Sequence, residues 1–217
     1  NGGAIVVGGL VGMFAGKLLP ERLRTSVMAA LSLMTIGIAV PGLLKSNNAL
    51  IPIISMVVGT LIGELMDIDS AVNKLGEKLQ KRFSGSRVTE GFVTGSLVFA
   101  VGALAVMGPL ESGLQHQHSL LFSKSVIDGV ASIVFASTMG LGVALSGITV
   151  FVVEGSIALL ASVVAPYLGE AVVNEITFVG SLLIVGISLN LLGATKLRIL
   201  NMVPAILLPI LLCRFMG

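Results

Sequence analysis

The chain has 217 residues, of which 55% are hydrophobic and 11% charged, with a net charge of +2. Soluble domains carry about 25% charged residues, so this chain lacks the polar surface a water-facing globule needs. Its composition excludes a soluble globular domain, and its small, uneven charge excludes a nucleic-acid partner. A lipid bilayer is the expected solvent and partner.

Eight apolar runs read as membrane spans in one polytopic domain, 1–217. They cover 1–17, 25–44, 49–66, 89–110, 125–145, 148–168, 172–193 and 201–216. In lipid the backbone must bond to itself, and no run alternates like a barrel strand, so an all-α membrane protein is expected. The first span carries Gly8, Gly12 and Gly16 at GxxxG spacing, and the third carries Gly59 and Gly63. These stripes allow close helix packing, within one chain or in a homo-oligomer. After the third span, Ile68, Val72, Leu75, Leu79 and Phe83 recur at helical spacing, with Lys74, Lys78, Lys81 and Arg82 on other faces. The connector 67–88 is therefore expected to hold an amphipathic helix on the cytoplasmic membrane surface. Pro204 and Pro209 should kink the last span.

Ten basic residues fall on one side of this scheme: Lys17, Arg22, Arg24, Lys74, Lys78, Lys81, Arg82, Arg87, Lys196 and Arg198. Lys45, Lys124 and Arg214 fall on the other. The imbalance places the first group in the cytoplasm and both termini outside a prokaryotic cytoplasmic membrane. No basic segment precedes the first apolar run, so no cleavable signal peptide is expected. Cys213 is the one cysteine and cannot form an internal disulfide.

Short words recur along the chain. Val6-Val7-Gly8-Gly9 matches Val152-Val153-Glu154-Gly155, Ser32-Leu33 matches Ser181-Leu182, and Ile51-Pro52 matches Val203-Pro204. The competing match of Val57–Gly63 with Val6–Gly12 shows how readily such words arise. Spans one to three (1–66) are expected to repeat as spans six to eight (148–216) around a central helix pair, 89–145. Because an odd number of spans separates them, the copies run in opposite directions, an inverted repeat used by transporters.

Charged groups deep in lipid cost at least about 2.5–3.5 kcal/mol on insertion scales, so each is a candidate site. Glu154 is the deepest acid, and a hairpin turning near Ser146 would set Ser137 and Thr138 opposite it. A carboxylate with two hydroxyls suits Na⁺ or a proton; the alternative is a protonated Glu154 donating one structural hydrogen bond. Asp128 with Ser132, and Glu111, would form an outer vestibule; alternatively Asp128 complements the helix N-terminus and pairs with Lys124 four residues before it. Asn190 is expected either to line the pathway or to make an interhelical hydrogen bond. His116 and His118 read as a solvated loop. No catalytic motif, metal-ligand cluster or cofactor signature appears, so no enzyme activity, metal or cofactor is expected.

The stretch Gly102–Leu114 (GALAVMGPLESGL), the block Lys124–Ser146 (KSVIDGVASIVFASTMGLGVALS) and Ile187–Ile206 (with SLNLLG and KLRILNMVPAI) resemble the YqgA/YdfK-like prokaryotic membrane family, domain of unknown function 554. The resemblance spans nearly the whole chain. It implies a small inner-membrane protein, with a sodium channel or pump as a suggestion attached to the family. Glu154 departs from the neutral polar residue expected there, so its role rests on its own chemistry. The residues themselves favour a small-ion transporter or channel. The alternative is a structural or regulatory protein that assembles through its glycine faces and moves nothing.

Overall fold

The computed structural model describes residues 1–16, 18, 20–74 and 88–216. Helices account for the regular structure, and among the described residues there is no strand. They are α1 (Gly2–Gly16), α2 (Glu21–Leu43), α3 (Leu50–Met66), α4 (Ile68–Lys74), α5 (Val88–Ala100) and α6 (Ala103–Gln115). There follow α7 (Ser119–Met139), α8 (Leu141–Leu159), α9 (Ala161–Val164), α10 (Glu170–Leu191), α11 (Ile199–Met202) and α12 (Leu208–Met216).

Among the described residues, four helical stretches are long and apolar enough to cross a membrane alone: Thr25–Leu43, Ser119–Met139, Leu141–Leu159 and Glu170–Leu191. Three bent pairs raise that number to as many as seven, and α1 is a shorter apolar helix. Of the expected amphipathic connector, α4 is helical and bent 51° from α3. Its remainder, 75–87, with Lys78, Lys81, Arg82 and Arg87, lies outside the described residues, as does Lys17.

The bends have local causes. Asp67, with φ 48°, ends α3 in the left-handed conformation. α5 and α6 are bent by 57° where Gly102 takes φ 120°, a backbone that favours glycine. The last span breaks into α11, a 3-10 turn at Val203–Ile206 and α12, bent by 43°. The sequence expected this from Pro204 and Pro209.

Glycine faces set the packing. A Cβ on Gly8 would fall 2.3 Å from the Gly129 carbonyl oxygen, one on Gly12 2.1 Å from that of Ile133, and one on Gly16 2.1 Å from that of Ser137. Residue numbers rise together along this seam, so α1 and α7 run parallel, nearly backbone on backbone. On its other side α1 meets α8 running antiparallel, with Gly2 against Gly147 and Gly9 against Ala144. α2 packs against α10, where Gly42 meets Ser181 and Thr177, and α3 against the last span, where Gly59 meets Ala205 and Gly63 meets Asn201. The glycine stripes are thus filled by this chain's own helices. Faces turned away from these seams carry exposed apolar side chains such as Val7, Leu33, Ile53, Phe122, Val126 and Phe151, as lipid contact requires.

Two boundaries differ from expectation. The hairpin expected at Ser146 turns at Gly140, with φ 71° and ψ −146°, so α8 starts at Leu141 rather than 148. α7 exposes one whole face (Phe122, Val126, Ile127, Val130), whereas α10 is buried along most of its length. The sixth span ends at Leu159 and continues as α9 and a 3-10 turn, Ala165–Tyr167.

Candidate functional site: a buried ion-pair cluster at a helix break

The turn at Gly140 fixes which polar groups meet. Asp128 lies twelve residues before it and Glu154 fourteen after, so the two carboxylates come to similar depth on α7 and α8. Asp128 also lies nine residues into α7, deeper than the single turn expected of it, because α7 starts at Ser119. Lys124, Asp128 and Glu154 are all buried, with 6%, 7% and 5% of their surface exposed.

Asn1 bridges the two acids. Its Nδ2 donates to Asp128 Oδ2 at 2.8 Å and to Glu154 Oε1 at 2.9 Å. Lys124 Nζ pairs with Asp128 Oδ2 one helical turn away and lies 3.7 Å from Glu154 Oε1. It also donates to the Phe99 carbonyl oxygen at 2.8 Å. In an unbroken helix that carbonyl would accept from the N–H of Ala103; the break at Gly102 releases it, and an ammonium at the C-terminal end of α5 meets the negative pole of its dipole. A broken helix therefore presents a backbone oxygen to a charged cluster inside the bundle.

Charge counting defines what this arrangement accommodates. Counted over side chains, two carboxylates face one ammonium, which leaves one acid in excess when all are ionised. Burying an uncompensated charge costs several kcal/mol, so the cluster suits one further proton or one small monovalent cation. Its oxygens, from two carboxylates and a backbone carbonyl, are hard ligands.

Other expected site residues stand elsewhere. The Ser132 hydroxyl donates to Gly129 and lies against Gly8, so it serves the α1–α7 seam. Ser137 donates to Val134 and Thr138 to Phe135, within their own helix and near the Gly140 turn; neither faces Glu154 as expected, because the turn comes six residues early. Glu111 is half-buried in α6, and its carboxylate joins none of the bonds linking Asn1, Lys124, Asp128 and Glu154. Asn190 closes the turn after α10: its Oδ1 accepts from Thr195 and from the Leu197 N–H, and its Nδ2 donates to the Leu197 carbonyl. It also lines a 420 Å³ cavity with Asp69, Asn73, Thr89 and Glu90.

Sequence reading missed two participants in the cluster and one buried acid outside it. Asn1 and the Phe99 carbonyl carry no local signal, being joined to their partners only by the fold. Glu175 is 2% exposed; its Oε1 accepts the N–H groups of Asn47 (2.9 Å) and Asn48 (3.3 Å), and its Oε2 is buried with no hydrogen-bond partner.

At the opposite end of the bundle Arg198 clips the end of α3. Its Nη1 donates to Glu64 at 2.7 Å, Nη2 to Asp67, and Nε lies 3.9 Å from Asp69. A hydrogen bond from Ser70, and then the Arg198 guanidinium, hold the Asp67 carboxyl below the usual carboxylate range. Asn201, fully buried beneath this clip, accepts the Asp69 N–H at 2.7 Å.

Apolar helices, lipid-facing side chains and an enclosed charged cluster define a small polytopic α-helical membrane protein. A family model described as protein of unknown function (DUF554) matches residues 1–214, and the chain belongs to that family. It is 32% identical to the uncharacterized membrane protein YdfK of Bacillus subtilis (strain 168), over 94% of this chain and 90% of the relative. It is 26% identical to the uncharacterized protein YqgA of Escherichia coli (strain K12), over 96% and 92%. No solved structure matches it.

Proposed function

We propose that this protein moves a small monovalent cation, Na⁺ or H⁺, across the prokaryotic cytoplasmic membrane, with Glu154 and Asp128 as the acids that carry or pass it. The observation that carries this reading is the buried cluster of two carboxylates and one ammonium at the break between α5 and α6. Burying charge in lipid is costly, and a chain needing only helix packing has apolar and glycine contacts for that purpose.

An architecture of two inverted three-helix repeats accompanies this reading. Antiparallel packing of α1 on α8, α2 on α10 and α3 on the last span supports it, since two oppositely directed copies would meet in such pairs. The basic ends at Arg22, Lys74, Lys196 and Arg198 face the cytoplasm, which puts Asn1 and the cluster nearer the outside.

Assembly without transport is the rival reading. It draws on the glycine stripes, and these are occupied within the chain. A homo-oligomer would use the exposed apolar faces instead.

Reconstitution tests the proposal. Liposomes containing the protein should dissipate an imposed Na⁺ or H⁺ gradient, and E154Q liposomes should not. Equal leak from wild-type and protein-free vesicles, for both ions, would remove the transport reading.

A further inference from the structure

The Lys124 ammonium sits among the oxygens that a transported cation would need. They are the Phe99 carbonyl oxygen at 2.8 Å, Asp128 Oδ2 in a direct ion pair and Glu154 Oε1 at 3.7 Å. Beside them the Asn1 amide, whose Nδ2 makes two bonds to the acids, keeps its own Oδ1 buried and without a hydrogen-bond partner. A backbone carbonyl at a helix break and two carboxylates are a hard-oxygen set suited to Na⁺.

We propose that Lys124 is a tethered stand-in for the transported cation: its ammonium holds the Phe99, Asp128 and Glu154 oxygens, and Na⁺ takes them when the lysine side chain withdraws. The inference rests on the cation-transport reading and adds its regulation. Lys is the residue chemistry fits to this task. Its charge is a compact point on a flexible four-carbon stem, so it resembles a small cation and can leave without moving the backbone. An arginine would present a planar fork, fixed by bidentate bonds to the same acids.

Exchange of one positive charge for another keeps the cluster's charge constant, so neither state leaves two carboxylates buried without a cation. The charged groups facing Lys124 are Asp128 on its own helix and Glu154 on α8, together with the α5 C-terminal dipole. Competition follows directly. Removing the tethered charge should leave the site open to the free ion.

The test measures thermal stabilisation of the purified full chain in detergent as NaCl replaces choline chloride at constant ionic strength. Wild type and K124Q are compared, since glutamine keeps a donor for the Phe99 carbonyl and loses the charge. K124Q should respond to Na⁺ at a midpoint tenfold or more below that of wild type. If K124Q is aggregated without Na⁺, then Na⁺ should restore a monodisperse protein where choline does not. K124R should shift the midpoint upward. A Na⁺ response in wild type with an unchanged or weaker one in K124Q overturns the stand-in role and leaves the transport reading intact. A response in K124Q with none in wild type would mean that Lys124 blocks the site and does not yield to Na⁺, which overturns the stand-in role. No response in either protein overturns both.

Discussion

Asp128 and Glu154, 26 residues apart on two helices, accept hydrogen bonds from one Asn1 Nδ2, at 2.8 and 2.9 Å. Sharing that donor brings the two carboxylates close together, yet the ammonium beside them is not shared equally. Lys124 is paired directly with Asp128 and stands 3.7 Å from Glu154.

This asymmetry predicts opposite outcomes for two conservative changes. D128N removes the direct partner of a buried ammonium and should destabilise the protein by about 3–5 kcal/mol, the usual effect of breaking a buried pair. E154Q removes the acid in excess and should be neutral or stabilising. Reversible unfolding in mixed detergent measures both. Equal destabilisation by the two changes would mean that Glu154 and Asp128 hold Lys124 alike.

The helix break makes a second prediction. G102A places a Cβ on a backbone with φ 120°, where open space surrounds the residue but the conformation itself is strained. Strain of this kind costs about 1–3 kcal/mol. Relief by straightening the break would reclaim the Phe99 carbonyl for α5 and take it from Lys124. G102A should therefore lower the melting temperature and also weaken the Na⁺ response. A wild-type melting temperature with wild-type Na⁺ response would show that the bend at Gly102 carries no weight.

A third prediction concerns the α1–α7 seam. G12L would drive its side chain into the Ile133 backbone, where even a Cβ comes within 2.1 Å. Overpacking costs typically about 1–3 kcal/mol, and here a backbone must yield rather than a flexible side chain. G3L meets nothing within 4 Å and should be close to wild type. Comparable melting temperatures for the two variants would contradict the close packing of α1.

pH dependence at the Arg198 clip follows from Asp67. Its carboxyl is depressed in the folded protein, so its contribution is present above the unfolded value of about 3.9 and is lost as pH falls through the lower folded value. Hydrogen exchange of the α3 C-terminal amides should stay constant from pH 7 to about 4, after correction for intrinsic rates, and quicken below. D67N should remove that step. Loosening already at pH 5–6 would contradict the assignment.

Membrane orientation has its own test. With Cys213 changed to Ser, an impermeant thiol reagent should label S119C in intact cells and label K196C only after permeabilisation. Both positions are exposed. The reverse pattern would overturn the orientation drawn from the basic residues.

Much of the helical content is legible because long apolar runs leave the backbone no other choice. The Lys124–Asp128 pair is legible too, since four-residue spacing brings two side chains together on any helix. What defeats sequence reading is glycine inside apolar runs. Gly140, Gly142 and Gly147 look alike there, yet only Gly140, at φ 71°, makes the turn, and six residues of error send Glu154 to Ser137 instead of Asp128. Gly102 likewise lies inside the single span expected over 89–110 and turns out to break a helix. Asn1 meets Asp128 and Glu154 across separations of 127 and 153 residues, which no local periodicity encodes. Glu175 is hidden for the same reason, its partners being two backbone N–H groups in the loop before α3.

Ion flux through E154Q tests the central claim most directly. Matched proteoliposomes containing wild type or E154Q would be given an inward Na⁺ gradient and, separately, a pH gradient, with uptake read by fluorescent dyes inside the vesicles. The cluster predicts flux of at least one ion in wild type and loss of that flux by tenfold or more in E154Q, in a protein that melts at or above the wild-type temperature. Undiminished flux through E154Q would take Glu154, and with it the buried acid in excess, out of the mechanism.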